Sequence, residues 1–146
     1  MNIREAGERD LPGLLQLYTQ LHDNSMPEFN ERLYSLWQQI LADPNHHILI
    51  GCQEEAIIAS CVVMIVPNLT HNQQPYALVE NVITDERYRN KGYGTELLNA
   101  AKALAIKEKC YKIMLMTGSK KESTLNFYER AGYNKADKTA FIQWLS

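Results

Sequence analysis

The sequence contains no apolar run long enough to cross a bilayer, so no membrane partner is expected. Its first residues, MNIREAGERD, are charged and lack the apolar core of a signal peptide, which points to a cytoplasmic protein. Cysteine is scarce: Cys52, Cys61 and Cys110 form no CxxC pair, and their odd number suits reduced structural thiols. No set of side chains has metal-ligand spacing, so no metal is expected. There is also no excess of positive charge. A net charge of -2 argues against a general nucleic-acid surface. Two familiar phosphate loops are missing. No GxxxxGK[ST] string occurs, and a GxGxxG fingerprint beginning at Gly92 fails because its third position is Leu97.

What is present is a globular composition, 45% apolar and 22% charged over 146 residues, enough for one domain spanning 1–146 with one core. Asn2 to Ala6 reads as a first strand. Asp10 is a candidate N-cap, and Leu11, Leu14, Leu15, Tyr18 and Leu21 follow at helical spacing. A second helix is expected from about Glu28 to Ala42, with Phe29, Leu33, Leu36, Trp37 and Ile40 inward. The character then changes. His47–Cys52 and Ala56–Val66 read as antiparallel strands around a tight turn, the second apolar enough to be covered on both faces. Tyr76–Thr84 is the next strand, and a long helix with Leu97, Leu98, Ala101, Leu104 and Ala105 on its inner stripe leads to a strand at Lys112–Thr117. Such a strand–helix–strand unit implies a parallel pair. Glu122–Arg130 is a short helix stopped by Gly132, and Tyr133–Leu145 is expected to supply one or two closing strands. The fold class is therefore α/β: a three-layer domain with a mixed central sheet, whose parallel pair opens a crevice at the carboxyl ends of its strands.

The most informative stretch is ALVENVITDERYRNKGYGTELLNAAKALA, Ala77 to Ala105. A buried strand runs into a charged turn, Arg89-Asn90-Lys91-Gly92-Tyr93-Gly94, and a helix starts there. Glycines permit close backbone approach, and a helix start presents unpaired N–H groups at the positive end of a dipole. Those features suit a phosphate or pyrophosphate. On the string alone, a turn with glycines for geometry only fits equally well.

The block resembles motif A of the GCN5-related N-acetyltransferases, a strand followed by [QR]xxGx[GA] at a helix start. A second segment, Asn126-Phe127-Tyr128-Glu129-Arg130-Ala131-Gly132-Tyr133, is similar to that family's FYexxGF signature. The resemblance extends to the element order β–α–α–β–β–β–α–β–α–β–β. It implies acetyl-CoA as co-substrate. The pyrophosphate would be held by backbone N–H groups of Arg89, Asn90, Lys91, Gly92, Tyr93 and Gly94, with the Thr95 hydroxyl beside them. The pantetheine arm would add to the strand edge at Val82, Ile83 and Thr84. Asn126 would orient the cofactor or cap locally. Lys120 and Lys121 read more simply as exposed loop lysines, and Arg87 as part of a solvated face. The family's usual asparagine seven residues before the tyrosine is replaced here by Lys121.

Acetyl transfer to an amine has two proton problems, deprotonating the nucleophile and neutralising the leaving thiolate. Glu80 is the candidate base, directly or through a water. A carboxylate is out of place in an apolar strand, and a partly dry position near its carboxyl end would suit it to that task. A rim or salt-bridged residue is the plainer alternative. Tyr128 is the acid that the resemblance implies. A phenol of ordinary pKa about 10 is protonated at neutral pH, although spacing alone makes it a core aromatic. Asn81 could polarise the acceptor or face away. Of the histidines, His71 is the best outsider.

The acceptor is expected to meet His22–Phe29, Asn68–Gln74 and Thr139–Trp144, where Asp23 and Glu28 could neutralise an ammonium and Phe29, Tyr34 and Trp144 could form a wall. A small-molecule or peptide amine fits. The alternative is a non-catalytic acyl-CoA-binding or regulatory domain. The resemblance also implies a homodimer.

Overall fold

The structure, a computed structural model, describes residues 1–22 and 24–146. Its centre is one five-stranded sheet in the order β1-β2-β3-β4-β5. The strands are β1 (Asn2–Glu5), β2 (His46–Gln53), β3 (Ala56–Val66), β4 (Tyr76–Thr84) and β5 (Ile113–Leu115). β1 to β4 pair antiparallel in succession, and β4 and β5 are parallel. The helices are α1 (Leu11–Tyr18), α2 (Glu31–Ala42), α3 (Tyr93–Lys107) and α4 (Glu122–Arg130). The α3 crossover is what a parallel pair demands.

Successive residues of β3 face opposite ways, and that alternation builds the three layers. Cys61, Val63 and Ile65 enter a core with Leu97, Leu98, Ala101 and Ala105 of α3. Val62, on the other face, packs with Leu11, Leu14 and Trp37 from α1 and α2. With both faces covered, β3 is almost wholly buried, as its continuous apolar run predicts. Full burial of Leu97 and Leu98 contributes about 1.5–3 kcal/mol each.

Three expectations need correction. First, α2 starts at Glu31, three residues late, because the Asn30 side chain accepts a hydrogen bond from Leu33 N and caps the helix there. Only Trp37 of its expected inner face is buried, while Leu36 and Phe29 are exposed. Second, α1 buries Leu17 with Leu11 and Leu14. Third, no strand forms between Tyr133 and Leu145 among the described residues. α4 ends at Arg130, Gly132 just beyond it turns the chain away at a φ of 102°, and Phe141, Ile142, Trp144 and Leu145 all stand in solvent.

Candidate functional site

β4 and β5 stay together for three residues only, Ala77, Leu78 and Val79 against Ile113, Met114 and Leu115. β5 then stops, while β4 runs on to Thr84. From Glu80 onward, the β5-side edge of β4 has no strand beside it among the described residues. This is the splay expected of the parallel pair, and it leaves strand-edge backbone for an extended ligand to pair with.

A β-bulge lies at the same point. Ser60 faces Ile83 and Val62 faces Glu80, so Cys61 alone opposes both Asn81 and Val82. Asn81 takes the extra residue's strain at φ 51°, a left-handed angle that asparagine tolerates better than most residues. The bulge breaks the alternation, so Glu80 and Asn81 are exposed consecutively. Sequence reading weighed Asn81 only as a polar group. Two polar residues in succession within an apolar strand was the available signal.

The glycine turn follows. Asp85 accepts from the Arg87 backbone and, twice more, from its guanidinium at 3.1 and 3.0 Å. Gln20, just beyond α1, accepts from Glu86 N and ties this turn to the first helix. Asn90 and Gly92 have φ of 61° and 83°. Gly92 is the N-cap of α3, and no side chain among the described residues caps the helix. The first N–H groups of α3 therefore lack intrahelical and capping partners, in a backbone curl of the kind that binds anions. Arg89 Nε donates to the Thr84 carbonyl at 3.0 Å, so that carbonyl is already engaged and only the rest of the Val82–Thr84 edge is open. Lys91 lies 5.9 Å from the Tyr88 ring centre, and Thr95 is exposed on the first turn of α3. Arg87, three-quarters exposed, serves Asp85 rather than the turn.

The buried Asp85 carboxylate titrates low, at about 2, chiefly because Arg87 holds its charged form. A lowered carboxylate pKa stabilises the fold above the ordinary value of 3.8, and that contribution is lost as pH falls toward 2. Asp85→Asn should therefore cost up to about 2 kcal/mol at neutral pH, less where solvent screens Arg87. Urea midpoints should show the gap from wild type closing between about pH 4 and pH 2.

The second motif meets the first through Phe127. A Cβ on Gly94 would lie 2.9 Å from Phe127 Cζ, so the start of α3 and the middle of α4 touch where glycine leaves room. Phe127 and Tyr128 pack edge to face at 5.0 Å, and Tyr128 and Tyr133 at 6.5 Å. Tyr128 packs on the α3 face of the sheet, in the core that holds Cys61. Burial, with the nearby Cys61 thiol, pushes its phenol above the usual range. The same causes push Tyr133 up to about 12, and its buried hydroxyl has no partner among the described residues.

Glu80 approaches from the other side. It pairs with Val62, whose side chain faces α1 and α2, and directly opposed residues share a face. The bulge thus has a carboxylate on one face of the sheet and a phenol on the other. Glu80 stands in solvent rather than in the partly dry site expected. Tyr18 was read from sequence as apolar packing. Its buried hydroxyl, whose pKa burial raises, lies near Ser60 and Asn81 with no hydrogen-bond partner among the described residues.

Other candidates fall elsewhere. His71 stacks on Tyr111 at 3.9 Å, at the amino ends of β4 and β5, the far end of β4 from Thr84. Asn126, Lys120 and Lys121 are exposed. Phe29 and Tyr34 form an exposed edge-to-face pair, and Trp144 stands on the tail. Glu28 is exposed, and Asp23 lies outside the described residues. No group of three potential metal ligands occurs among the described residues, and no helix is long and apolar enough to cross a membrane. A groove of about 590 Å³ beside α1, lined by Gln16, Gln20, Ile57, Asp85 and Arg87, includes neither Glu80 nor Tyr128 in its walls.

Comparison with known proteins agrees with this fold. A solved structure from Agrobacterium tumefaciens str. C58, assigned as an acetyltransferase, superposes with a TM-score of 0.91 at 34% identity, covering 99% of this chain and 100% of its own. A transcriptional regulator from Bacillus halodurans C-125 superposes at 0.87 with 25% identity, covering 98% and 99%. Glucosamine 6-phosphate N-acetyltransferase of Trypanosoma brucei brucei is 29% identical over 82 residues, 56% of this chain and 54% of that protein, so the match spans about half its length. The model of the acetyltransferase (GNAT) family matches residues 14–133, and the chain belongs to that family.

Proposed function

We propose that this protein transfers the acetyl group of acetyl-CoA to a primary amine. One observation carries the reading: β4 loses its β5 partner after Val79, and the open edge leads to the uncapped start of α3. An extended pantetheine arm can hydrogen-bond to the Val82–Ile83 backbone, and a pyrophosphate can reach the N–H groups from Arg89 to Thr95. The thioester would then lie at the bulge. Glu80 takes the amine proton, directly or through a water, from the α1 and α2 face. The amine nitrogen bonds to the thioester carbon, the carbon–sulfur bond breaks, and Tyr128 protonates the departing sulfur from the α4 face. No metal takes part. The glycine turn selects the donor, while the acceptor, a small-molecule or peptide amine, is selected on the Glu80 side. A cytoplasmic homodimer fits this reading.

Thiol release from acetyl-CoA over a panel of amines tests it, with amino sugars and their phosphates included because a relative acts on glucosamine 6-phosphate. Stimulated release with one acceptor supports transfer. The second reading, a regulatory acyl-CoA-binding domain, is favoured by the Bacillus halodurans regulator of the same fold. It predicts CoA binding with no release for any amine.

Tyr128→Phe should lower kcat about 10²-fold while leaving the acetyl-CoA Kd and the thermal midpoint within error. Because its phenol titrates above the ordinary value, the donor stays protonated across the physiological range, and no alkaline loss of rate should appear below about pH 9. An unchanged kcat would return Tyr128 to core packing.

A further inference from the structure

The bulge in β4 has an unpaired polar group behind it. Tyr18 ends α1, and its hydroxyl is buried with no hydrogen-bond partner among the described residues. A buried polar group in that state is costly and calls for a partner. Two neighbours stand beside it, Ser60 and Asn81. Ser60 is fully buried, and its Oγ donates to the Leu49 carbonyl at 2.9 Å. That proton is committed, so toward Tyr18 the serine oxygen can only accept. Asn81 is exposed, next in sequence to Glu80, and held at a φ of 51°. A left-handed residue in a strand costs stability, and a bulge of this kind re-aims a side chain. Burial raises the Tyr18 pKa, so the phenol keeps its proton near neutral pH and has one to donate.

One arrangement satisfies all three groups. The Tyr18 O–H donates to Ser60 Oγ, and the Tyr18 oxygen accepts from the Asn81 side-chain NH2. The Asn81 carbonyl oxygen then faces outward, beside the Glu80 carboxylate. With the amide reversed, Tyr18 must donate to Asn81 instead, and Ser60 Oγ loses its donor.

We infer that Asn81 determines acceptor specificity, its outward carbonyl taking one N–H of the acceptor and restricting it to primary amines, and that Tyr18 and Ser60 are positioning residues that fix the Asn81 amide. The inference rests on the acetyl-transfer reading and sharpens it. As the carbon–nitrogen bond forms, the nitrogen of a primary amine carries two hydrogens. One leaves to Glu80, directly or through a water. The other stays on the Asn81 oxygen and is the hydrogen that the amide product keeps. A secondary amine has one hydrogen for the two groups, and its extra alkyl group meets a carbonyl left unpaired. The backbone strain at Asn81 thereby holds a recognition group in place.

Thiol release from acetyl-CoA is measured for pairs that differ by one N-methyl group. Benzylamine, glycinamide and glucosamine 6-phosphate are each set against their N-methyl counterparts, as is any further amine found active. The proteins are wild type, Tyr18→Phe and Asn81→Gly. Glycine suits a φ of 51°, so Asn81→Gly removes the side chain without adding strain. Tyr18→Phe removes only a hydroxyl and keeps the ring in its core, so both variants should melt near wild type. Wild type should prefer the primary amine about 10²-fold in kcat/KM. Tyr18→Phe leaves the shape of the site unchanged, yet it should shrink that preference about tenfold, through kcat, with the KM for acetyl-CoA unmoved. Asn81→Gly should shrink it at least as much. A preference absent from wild type, or unchanged in either variant, overturns the inference while the transfer reading stands. No release with any amine removes the transfer reading itself, and this inference with it.

Discussion

Glu80→Gln should lower kcat/KM about 10²- to 10³-fold, the usual size of a lost general base, while leaving the acetyl-CoA Kd unchanged. Glutamine keeps the shape and the hydrogen-bonding reach but cannot take a proton. Binding should be spared because Glu80 points to the α1 and α2 face, while the N–H groups proposed to hold the cofactor lie in the turn after β4. The effect should depend on pH in a definite direction. At low pH the acceptor is almost entirely an ammonium, and turnover needs the base most. As pH rises, free amine accumulates and the variant should gain on wild type. Steady-state rates from about pH 6 to 9.5, with CoA binding by calorimetry alongside, check both halves. Equal rates at every pH would remove Glu80 from the mechanism. A loss of CoA affinity of the same size as the loss of rate would instead make it a binding residue.

This prediction depends on the feature that sequence reasoning reached least well. Glu80 was visible as a carboxylate in an apolar strand. The bulge beside it was not, because a bulge is a mismatch in count between two strands, and neither strand records it alone. Where one strong period ruled, the reading held. β3, β4 and α4 have the expected bounds, Ala56–Val66, Tyr76–Thr84 and Glu122–Arg130, because apolar runs and helix punctuation set them locally. Where a partner decides, it did not. Phe141, Ile142, Trp144 and Leu145 have strand propensity, yet a strand exists only against another strand. Leu36 and Phe29 fit a helical stripe, yet against α1 and the sheet α2 buries Trp37 fully and Leu33 and Ile40 only in part. The glycine turn was legible for a different reason. The chemistry proposed for it resides in the backbone, and glycine and a helix start announce backbone geometry directly.

Gly94→Ala should weaken acetyl-CoA binding about tenfold or more, which is about 1.4 kcal/mol, and should lower kcat as well. The new Cβ would lie 2.9 Å from Phe127 Cζ and 3.3 Å from Cε1, closer than ordinary contact, with Thr84 Oγ1 at 3.7 Å. Either the first turn of α3 lifts or the Phe127 ring moves. The first disturbs the N–H groups proposed for the pyrophosphate. The second carries Tyr128 with it, since the two rings pack at 5.0 Å on one helix. Gly92→Ala is the instructive contrast. Its Cβ meets nothing within 4 Å, but φ is +83°, so the cost is left-handed strain of about 1–2 kcal/mol. Phe127→Leu separates the two causes. It removes the ring that Gly94→Ala strikes, so the double variant should recover most of the lost CoA affinity, whereas Gly92→Ala should gain nothing from it. Calorimetric CoA titrations of the three single and two double variants make the comparison a pair of mutant cycles. Coupling of about 1 kcal/mol in the Gly94 cycle and none in the Gly92 cycle is expected. If Gly94→Ala binds CoA like wild type, the tight join between the glycine turn and α4 is packing alone, and the two motifs work independently.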